Sequence, residues 1–355
     1  MQQTVFLLGD INLKGVRDAS GLFDQVSEPL LDADLVFANL ECCLYELPEH
    51  AQERRGFYTS PGHARVLRES GIQAVGNANN VNIGHEAVSA SLASLKEAGV
   101  STVGAGIDAE SAGAPLIEVR DGTRFGFIQR TAVYWPDGHE ADVHQAGVAI
   151  IKAHTAYRPQ LDSQAARTRP GVPPEVLTWA CPISLARFRD DVAALRAQVD
   201  VVVVSLHWGY RREVLQYQRE YARAAIEAGA DVVFGHGPHV ILPLEMYRGK
   251  PILYGSGCFS FQVAHRVDAH TDWTGMLVRL DYQDRQLVDM HFDFVQRNAI
   301  NQTVLVPADM VANERDMLIQ ASTALGADLQ VAGDGLRLVL NRHADTDTSP
   351  NQLDT

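Results

Sequence analysis

The chain has 355 residues, 46% of them hydrophobic, and its 44 acidic against 30 basic side chains leave a formal net charge of −14. Such a length and apolar content can bury a large core, as one elaborated domain or as two. The acidic balance argues against a nucleic-acid backbone as partner, and no run of about 20 apolar residues is present to span a membrane.

The first apolar run, Thr4 to Leu8, ends in Gly9-Asp10. It follows Met1-Gln2-Gln3 directly, without the basic region, apolar segment and cleavage site of a signal peptide, so a cytoplasmic location is expected. A second run, Asp34 to Ala38, ends in Asn39-Leu40-Glu41, and a third, Ile72 to Gly76, leads into Asn77-Ala78-Asn79-Asn80. Short apolar runs of this kind are what strands buried on both faces require. Glu86 to Ala98 has helical spacing at Val88, Leu92 and Leu95 and closes at Gly99. Gly104-Ala105-Gly106 after Val100 to Val103 lacks the further glycines or lysine of a nucleotide cradle.

Phe125 to Thr131 reads as another strand. The segment from Tyr134 to Trp179 shows no sustained periodicity and reads as a long structureless loop, a lid over a site. His139, His144 and His154 within it read as surface residues. Arg130, Tyr134, Arg158, Arg167 and Arg169 are candidates to bind an anionic substrate, since guanidinium meets carboxylate in a two-pronged geometry. Helices are expected over Ile183 to Gln198 and Glu213 to Ala228, each followed by an apolar strand, Val201 to Leu206 and Asp231 to Phe234, the order of β-α-β units. The main domain is expected over residues 1–300, with the insertion at about 134–180. Residues 301–342, with a helix over Ala308 to Ala324 and a short apolar element at Leu336 to Leu340, form an extension, and 343–355 a polar tail.

Chemistry gathers at the strand ends. His207 stands at the exit of Val201 to Leu206, and His236 and His239 follow Asp231 to Phe234 inside a Gly-His-Gly-Pro-His turn. Imidazoles at the carboxyl ends of neighbouring parallel strands converge on one crevice. Asp10 and Glu41 occupy the same kind of position, and Asn80 offers a neutral amide oxygen. Taken singly, these are a loop cap, a surface ion pair and a helix cap. Together the six form a mixed oxygen and nitrogen set that suits one or two divalent ions of Mn, Zn or Fe better than Ca or Mg. The cysteines Cys42, Cys43, Cys181 and Cys258 have neither zinc-ribbon spacing nor the density of a disulfide framework and read as buried thiols, with Cys258 placed to line the pocket.

GDINLKG, DLVFANLE, FYTSPGHARVLRESGIQAVGNANN, VDVVVVSLHWGYRRE and GADVVFGHGPHVILPLEMYRGKPILYGSGCFSF stand in the order found in the CapA family of poly-gamma-glutamate capsule biosynthesis proteins, which the chain resembles over roughly residues 4 to 281. The resemblance implies a calcineurin-like metallophosphoesterase fold, a four-layer α/β/β/α sandwich with a metal centre at the strand ends. It also implies that Asp10, Glu41, Asn80, His207, His236 and His239 are the metal-site residues. Two departures fall at the chemistry. Where the family shows Asn-Asn-His this chain has Asn79-Asn80-Val81, and Cys258 stands where an asparagine is common. Val81 can neither bind metal nor move a proton, and His85 is the candidate to reach back into the crevice in its place.

The expected function is therefore a metal-dependent hydrolase acting on a small anionic substrate, with a glutamyl-type amide bond ahead of a phosphate ester. His207 or His239 would protonate the leaving group. A non-catalytic binding or accessory protein of polymer synthesis is the alternative, and a homo-oligomer is left open.

Overall fold

The apolar runs become strands that assemble into two sheets facing each other. The computed structural model describes residues 2–51, 54–161, 164–262 and 273–340. Two-residue strands aside, the first half holds β1 (Gln2–Asn12), β2 (Leu35–Leu40), β3 (Ala74–Gly76), β4 (Ser101–Val103), β5 (Leu116–Arg120), β6 (Thr123–Thr131), β7 (Ala153–Arg158) and β8 (Glu175–Ala180). The second half holds β9 (Val201–His207), β10 (Val232–His236), β11 (Ile241–Tyr247), β12 (Lys250–Ser256), β13 (Cys258–Phe261), β14 (Gly275–Gln283), β15 (Gln286–Arg297), β16 (Thr303–Val306), β17 (Leu329–Ala332) and β18 (Gly335–Leu338). The longer helices are α1 (His85–Glu97), α2 (Pro182–Arg196), α3 (Gln216–Glu227) and α4 (Ala312–Thr323).

The larger sheet runs β17-β18-β15-β14-β1-β2-β3-β4, with β13 also on β1 and β16 on β15, and the smaller runs β11-β12-β10-β9-β6-β5. Alternate residues of each central strand face opposite layers, as the two-residue period of a strand dictates. Val5 and Leu7 of β1 point into the seam between the sheets with Phe37, Phe127, Val203 and Phe234, and the Phe37 and Phe127 rings stack across it at 4.9 Å. Phe6 and Leu8 face the other way, against Phe23 of a turn, Leu30 and Leu67 of short helices, and Leu95 of α1. Val202, Val204 and Leu206 of β9 meet Phe188 and Val192 of α2 and Tyr221 of α3. The result is the α/β/β/α sandwich.

Three stretches differ from the sequence reading. The segment over 134–179 is not structureless: β7 and β8 pair as an antiparallel ribbon, with a short helix Gln164–Thr168 between them. Most β7 residues are exposed on that ribbon, so no apolar alternation marks it. The helix read over Ala308 to Ala324 starts as a 3-10 turn, Ala308–Val311, before α4. Third, β1 reaches beyond Thr4 to Leu8 at both ends, because β14 pairs with its start and β13 with its end. In the extension, β16 and β18 pair with β15, and Ser322 of α4 accepts the Leu244 N–H of β11 at 3.0 Å. The tail at 343–355, with 341 and 342, lies outside the described residues.

One buried acid ties α3 to the smaller sheet. Glu245, 3% exposed on β11, takes Arg223 at 2.7 and 2.8 Å through one oxygen and the Tyr254 hydroxyl at 2.6 Å through the other. Glu245→Ala strands that hydroxyl in the core and frees Arg223, so urea unfolding should show a loss of about 2 to 4 kcal/mol. A loss below about 0.5 kcal/mol, the range of ordinary surface changes, would contradict this.

Candidate metal centre

The parallel pairings decide which side chains meet. Across the larger sheet, Cys258, Asp10, Asn39 and Gly76 stand in register on β13, β1, β2 and β3. Thr131, His207 and His236 do the same across the smaller sheet. All of these but Cys258, which opens its strand, lie at or near carboxyl ends, and the ladder shifts register on either side of Asp10, a bulge that re-aims its side chain. Gly9 is obligatory there, since a Cβ would stand 2.2 Å from the Gly257 carbonyl oxygen.

The six candidate residues come together. Asp10 Oδ2 accepts from His239 Nδ1 at 2.9 Å and from the Gly237 N–H at 3.2 Å, and Oδ1 lies 3.5 Å from His236 Nδ1. His207 Nε2 is 2.8 Å from Asn80 Oδ1 and 3.3 Å from Glu41 Oε1, while its Nδ1 faces His236 Nδ1 at 3.1 Å. Glu41 Oε2 is 3.7 Å from His239 Nδ1. Asp10, Glu41, His207 and His236 are at most 1% exposed, yet neither Glu41 oxygen has a hydrogen-bond partner among the described residues. Donor atoms of Asp10, His207 and His236 fall within 4.8 Å of one another, as do those of Asp10, His239 and Cys258. His239 holds a left-handed backbone, φ +59°, which a non-glycine residue adopts at a cost.

Electrostatics sharpen this picture. Burial pushes the Glu41 carboxyl well above its usual range, and the Asp10 charge pushes it further. Burial acts on Asp10 in the same sense, but the His239 hydrogen bond and charge, with His236 and His207, overcome it and hold that carboxyl well below the ordinary value. Burial drives His236 down to about 4 against the pull of Asp10, so it rests as neutral imidazole with a lone pair to offer.

An outer ring of polar groups sets the donors. Gln129 of β6 accepts the Ala78 N–H at 2.6 Å, which fixes its amide orientation, and donates to Asn39 Oδ1 at 3.0 Å. Asn39 in turn donates to Asp10 Oδ1 at 2.8 Å. Ser205 Oγ meets His236 Nε2 at 2.8 Å. Sequence reasoning missed Gln129 and Ser205, although a polar residue interrupting an apolar strand, as in FGFIQRT and VVVVSLH, was a usable signal. His139 corrects the surface reading: it is 1% exposed, its Nε2 reaches the Asn79 carbonyl at 2.9 Å, and Trp135 Nε1 donates to the Asn80 carbonyl at 3.0 Å. The two clamp the loop that carries Asn80.

Other expectations land elsewhere. Val81 is 3% exposed and packs into the apolar layer outside the larger sheet. His85 Nδ1 donates to the Ala146 carbonyl at 2.6 Å from the start of α1, and no described contact joins it to the six. Arg130 is buried against Asp191 at 2.8 Å, and Arg158 pairs with Glu175 on the ribbon, so neither is presented to a substrate as expected. Arg167 lies on the short helix Gln164–Thr168, and Arg169 follows it. Tyr134 is half-buried after β6. Instead a cavity of about 710 Å³ opens beside His239, lined by Arg212, Leu242, Pro243, Trp273, Glu314 and Met317 among others. Burial raises the thiols of Cys42, to about 12, of Cys43 and of Cys258, the last also under the charges of Asp10 and Glu41.

With this geometry in place, comparison with known proteins identifies the lineage. The family described as "Bacterial capsule synthesis protein PGA_cap" matches residues 4–263. The chain belongs to that family. It is 32% identical over 234 residues to a "Probable polyglutamine synthesis accessory protein" of Mycobacterium tuberculosis, covering 63% of this chain and 54% of the relative. It is 33% identical over 121 residues to the PGA biosynthesis protein CapA of Bacillus subtilis, 34% of this chain and 27% of that one. To the capsule biosynthesis protein CapA of Bacillus anthracis it is 25% identical over 273 residues, 73% and 59% of the two chains. The PGA_cap chain thus spans about half the length of the mycobacterial relative. Among its described residues no helix is long and apolar enough to cross a membrane.

Proposed function

We propose that this PGA_cap protein is a metal-dependent hydrolase acting on a small anionic substrate, with a glutamyl-type amide bond as first candidate. The observation that carries the reading is Glu41, whose two oxygens are buried without hydrogen-bond partners among the described residues, one turned to His207 and the other to His239. An ionised carboxylate so placed is strongly destabilising unless a cation neutralises it. Carboxylate oxygens, imidazole nitrogens and the Asn80 amide oxygen fit one or two ions of Mn, Zn or Fe. Such ions supply Lewis-acid polarisation of the scissile bond and make water more acidic.

The chain's own residues do the rest. Asn39, Gly237 and His239 orient Asp10, and Gln129 holds Asn39. His207 is closed in, with Asn80 on one ring nitrogen and His236 on the other. His239 borders the cavity and keeps Nδ1 toward Asp10, so its opposite nitrogen is the one placed to hydrogen-bond a leaving group. Arg212 on the cavity wall offers a carboxylate the two-pronged partner that Arg130 and Arg158 do not. The relatives named for polyglutamine synthesis and PGA biosynthesis support a glutamyl bond over a phosphate ester, and so does an apolar Val81 packed away from the centre.

The test is metal content and hydrolysis of γ-glutamyl peptides and phosphate esters, with Mn, Zn or Fe added, for the wild type and His236→Ala. The variant should lose metal and at least about a hundredfold of turnover, the scale of disturbed metal sites. Unchanged metal content and activity would remove the reading. The burial of Val81 also favours a second one, an accessory protein that binds without turnover, which turnover of any of these substrates eliminates.

A further inference from the structure

We infer that Cys258 is a metal ligand, and that Asp10, His239 and Cys258 form a thiolate-bearing cation position of their own beside the one framed by Asp10, His207 and His236. This rests on the metal-centre reading above and adds to it the identity of a donor. The backbone makes the placement specific. Cys258 opens β13 in register with Asp10, and the Asp10 N–H donates to the Gly257 carbonyl at 3.2 Å. Gly257 has φ +72°, and a Cβ there would lie 2.7 Å from the Thr274 carbonyl oxygen, so only glycine allows the turn before β13 to pass this close to the backbone that leads into β14. The buried sulfur is thereby set within 4.8 Å of donor atoms of Asp10 and His239. Cys42 and Cys43 are just as buried but stand in neither group.

A second observation points at the same place. Each doubly used carboxylate divides its oxygens between the two groups: Asp10 Oδ1 faces His236 and Oδ2 faces His239, while Glu41 Oε1 faces His207 and Oε2 faces His239. Glu41 Oε2, 3.7 Å from His239 Nδ1, is buried and lacks a hydrogen-bond partner among the described residues. An oxygen, an imidazole nitrogen and a sulfur around one point suit a thiophilic cation, Zn²⁺ or Co²⁺, over Mn²⁺ or Mg²⁺. Coordination replaces the thiol proton, which is released to solvent.

The experiment is titration of the chelator-stripped full chain with Co²⁺, read by absorption. The wild type should show visible d–d bands together with a near-ultraviolet sulfur-to-cobalt charge-transfer band. Cys258→Ser should keep the d–d bands and lose the charge-transfer band, with one Co²⁺ equivalent weakened at least about tenfold, whereas Cys42→Ser should keep both. Cys258→Asn, which retains a donor without sulfur, should lower the preference for Zn²⁺ over Mn²⁺ by a similar factor. Wild-type d–d bands without charge transfer, or a charge-transfer band that survives in Cys258→Ser, overturn the inference and leave the metal centre standing. Absence of both bands from the wild type overturns the metal-centre reading and this inference with it.

Discussion

Glu41→Met should make the metal-free protein more stable while abolishing the response to metal. In the parent, two buried oxygens lack hydrogen-bond partners, and burial beside Asp10 disfavours their charge. Methionine fills a similar volume without a polar atom, so calorimetry in the presence of a chelator should show a gain of roughly 1 to 3 kcal/mol, the usual penalty of an unsatisfied buried group. Adding Mn²⁺ or Zn²⁺ should raise the melting temperature of the parent, because a ligand that binds only the native state stabilises it by mass action. The variant should show no such rise, and any hydrolysis should fall at least about a hundredfold. A metal-free variant less stable than its metal-free parent would show that those oxygens are satisfied in the native protein, and the reading of Glu41 would fail.

Gly275→Ala should cost more than any other single methyl group considered above. A Cβ at that position would stand 1.7 Å from the Cys258 carbonyl oxygen and 2.7 Å from its carbon, atoms of a backbone that β13 and β1 hold in place. No rotamer change can relieve that contact. Because β13 carries Cys258 and β14 pairs with β1, the variant must part the strands that frame Asp10, and we expect a loss above about 4 kcal/mol or no folded protein at all. Gly122→Ala is the comparison: φ +78° is unfavourable for alanine, but nothing lies within 4 Å of the added methyl, so about 1 kcal/mol is expected. Urea unfolding of the two variants checks both values, and near-equal losses would refute the close passage of β13 and β14.

Much of the frame was legible because burial writes itself into composition. The runs that became β2, β9 and β10 are mostly apolar on both faces, since both faces are covered, and each carries a polar residue at or next to its end, Asn39, His207 and His236. The helix read from Val88, Leu92 and Leu95 formed over His85–Glu97. Periodicity fails where neither face is buried, as on β7. It also fails at strand ends, where partners distant in sequence set the length, as with β1. Of the polar residues, those at strand exits were readable, while Gln129 and Ser205 were passed over and His139 was read as a surface residue, because their roles depend on what stands opposite them. Gln129 acts on Asp10 through Asn39, a residue of the other sheet.

By itself the sequence determined the buried strands and their β-α-β order, through its apolar runs, and the set of polar residues left at or near their ends, while the layered sandwich was implied by the family resemblance. Only the tertiary structure decided how those residues are shared: that Asp10 and Glu41 each turn one oxygen to either histidine group, that Cys258 joins one of them, and that Val81 belongs to the core. The physical reason is that side-chain alternation is local, whereas the register of parallel strands and the distance between two sheets are set by contacts among residues hundreds of positions apart, such as Asp10 with His239 and Cys258.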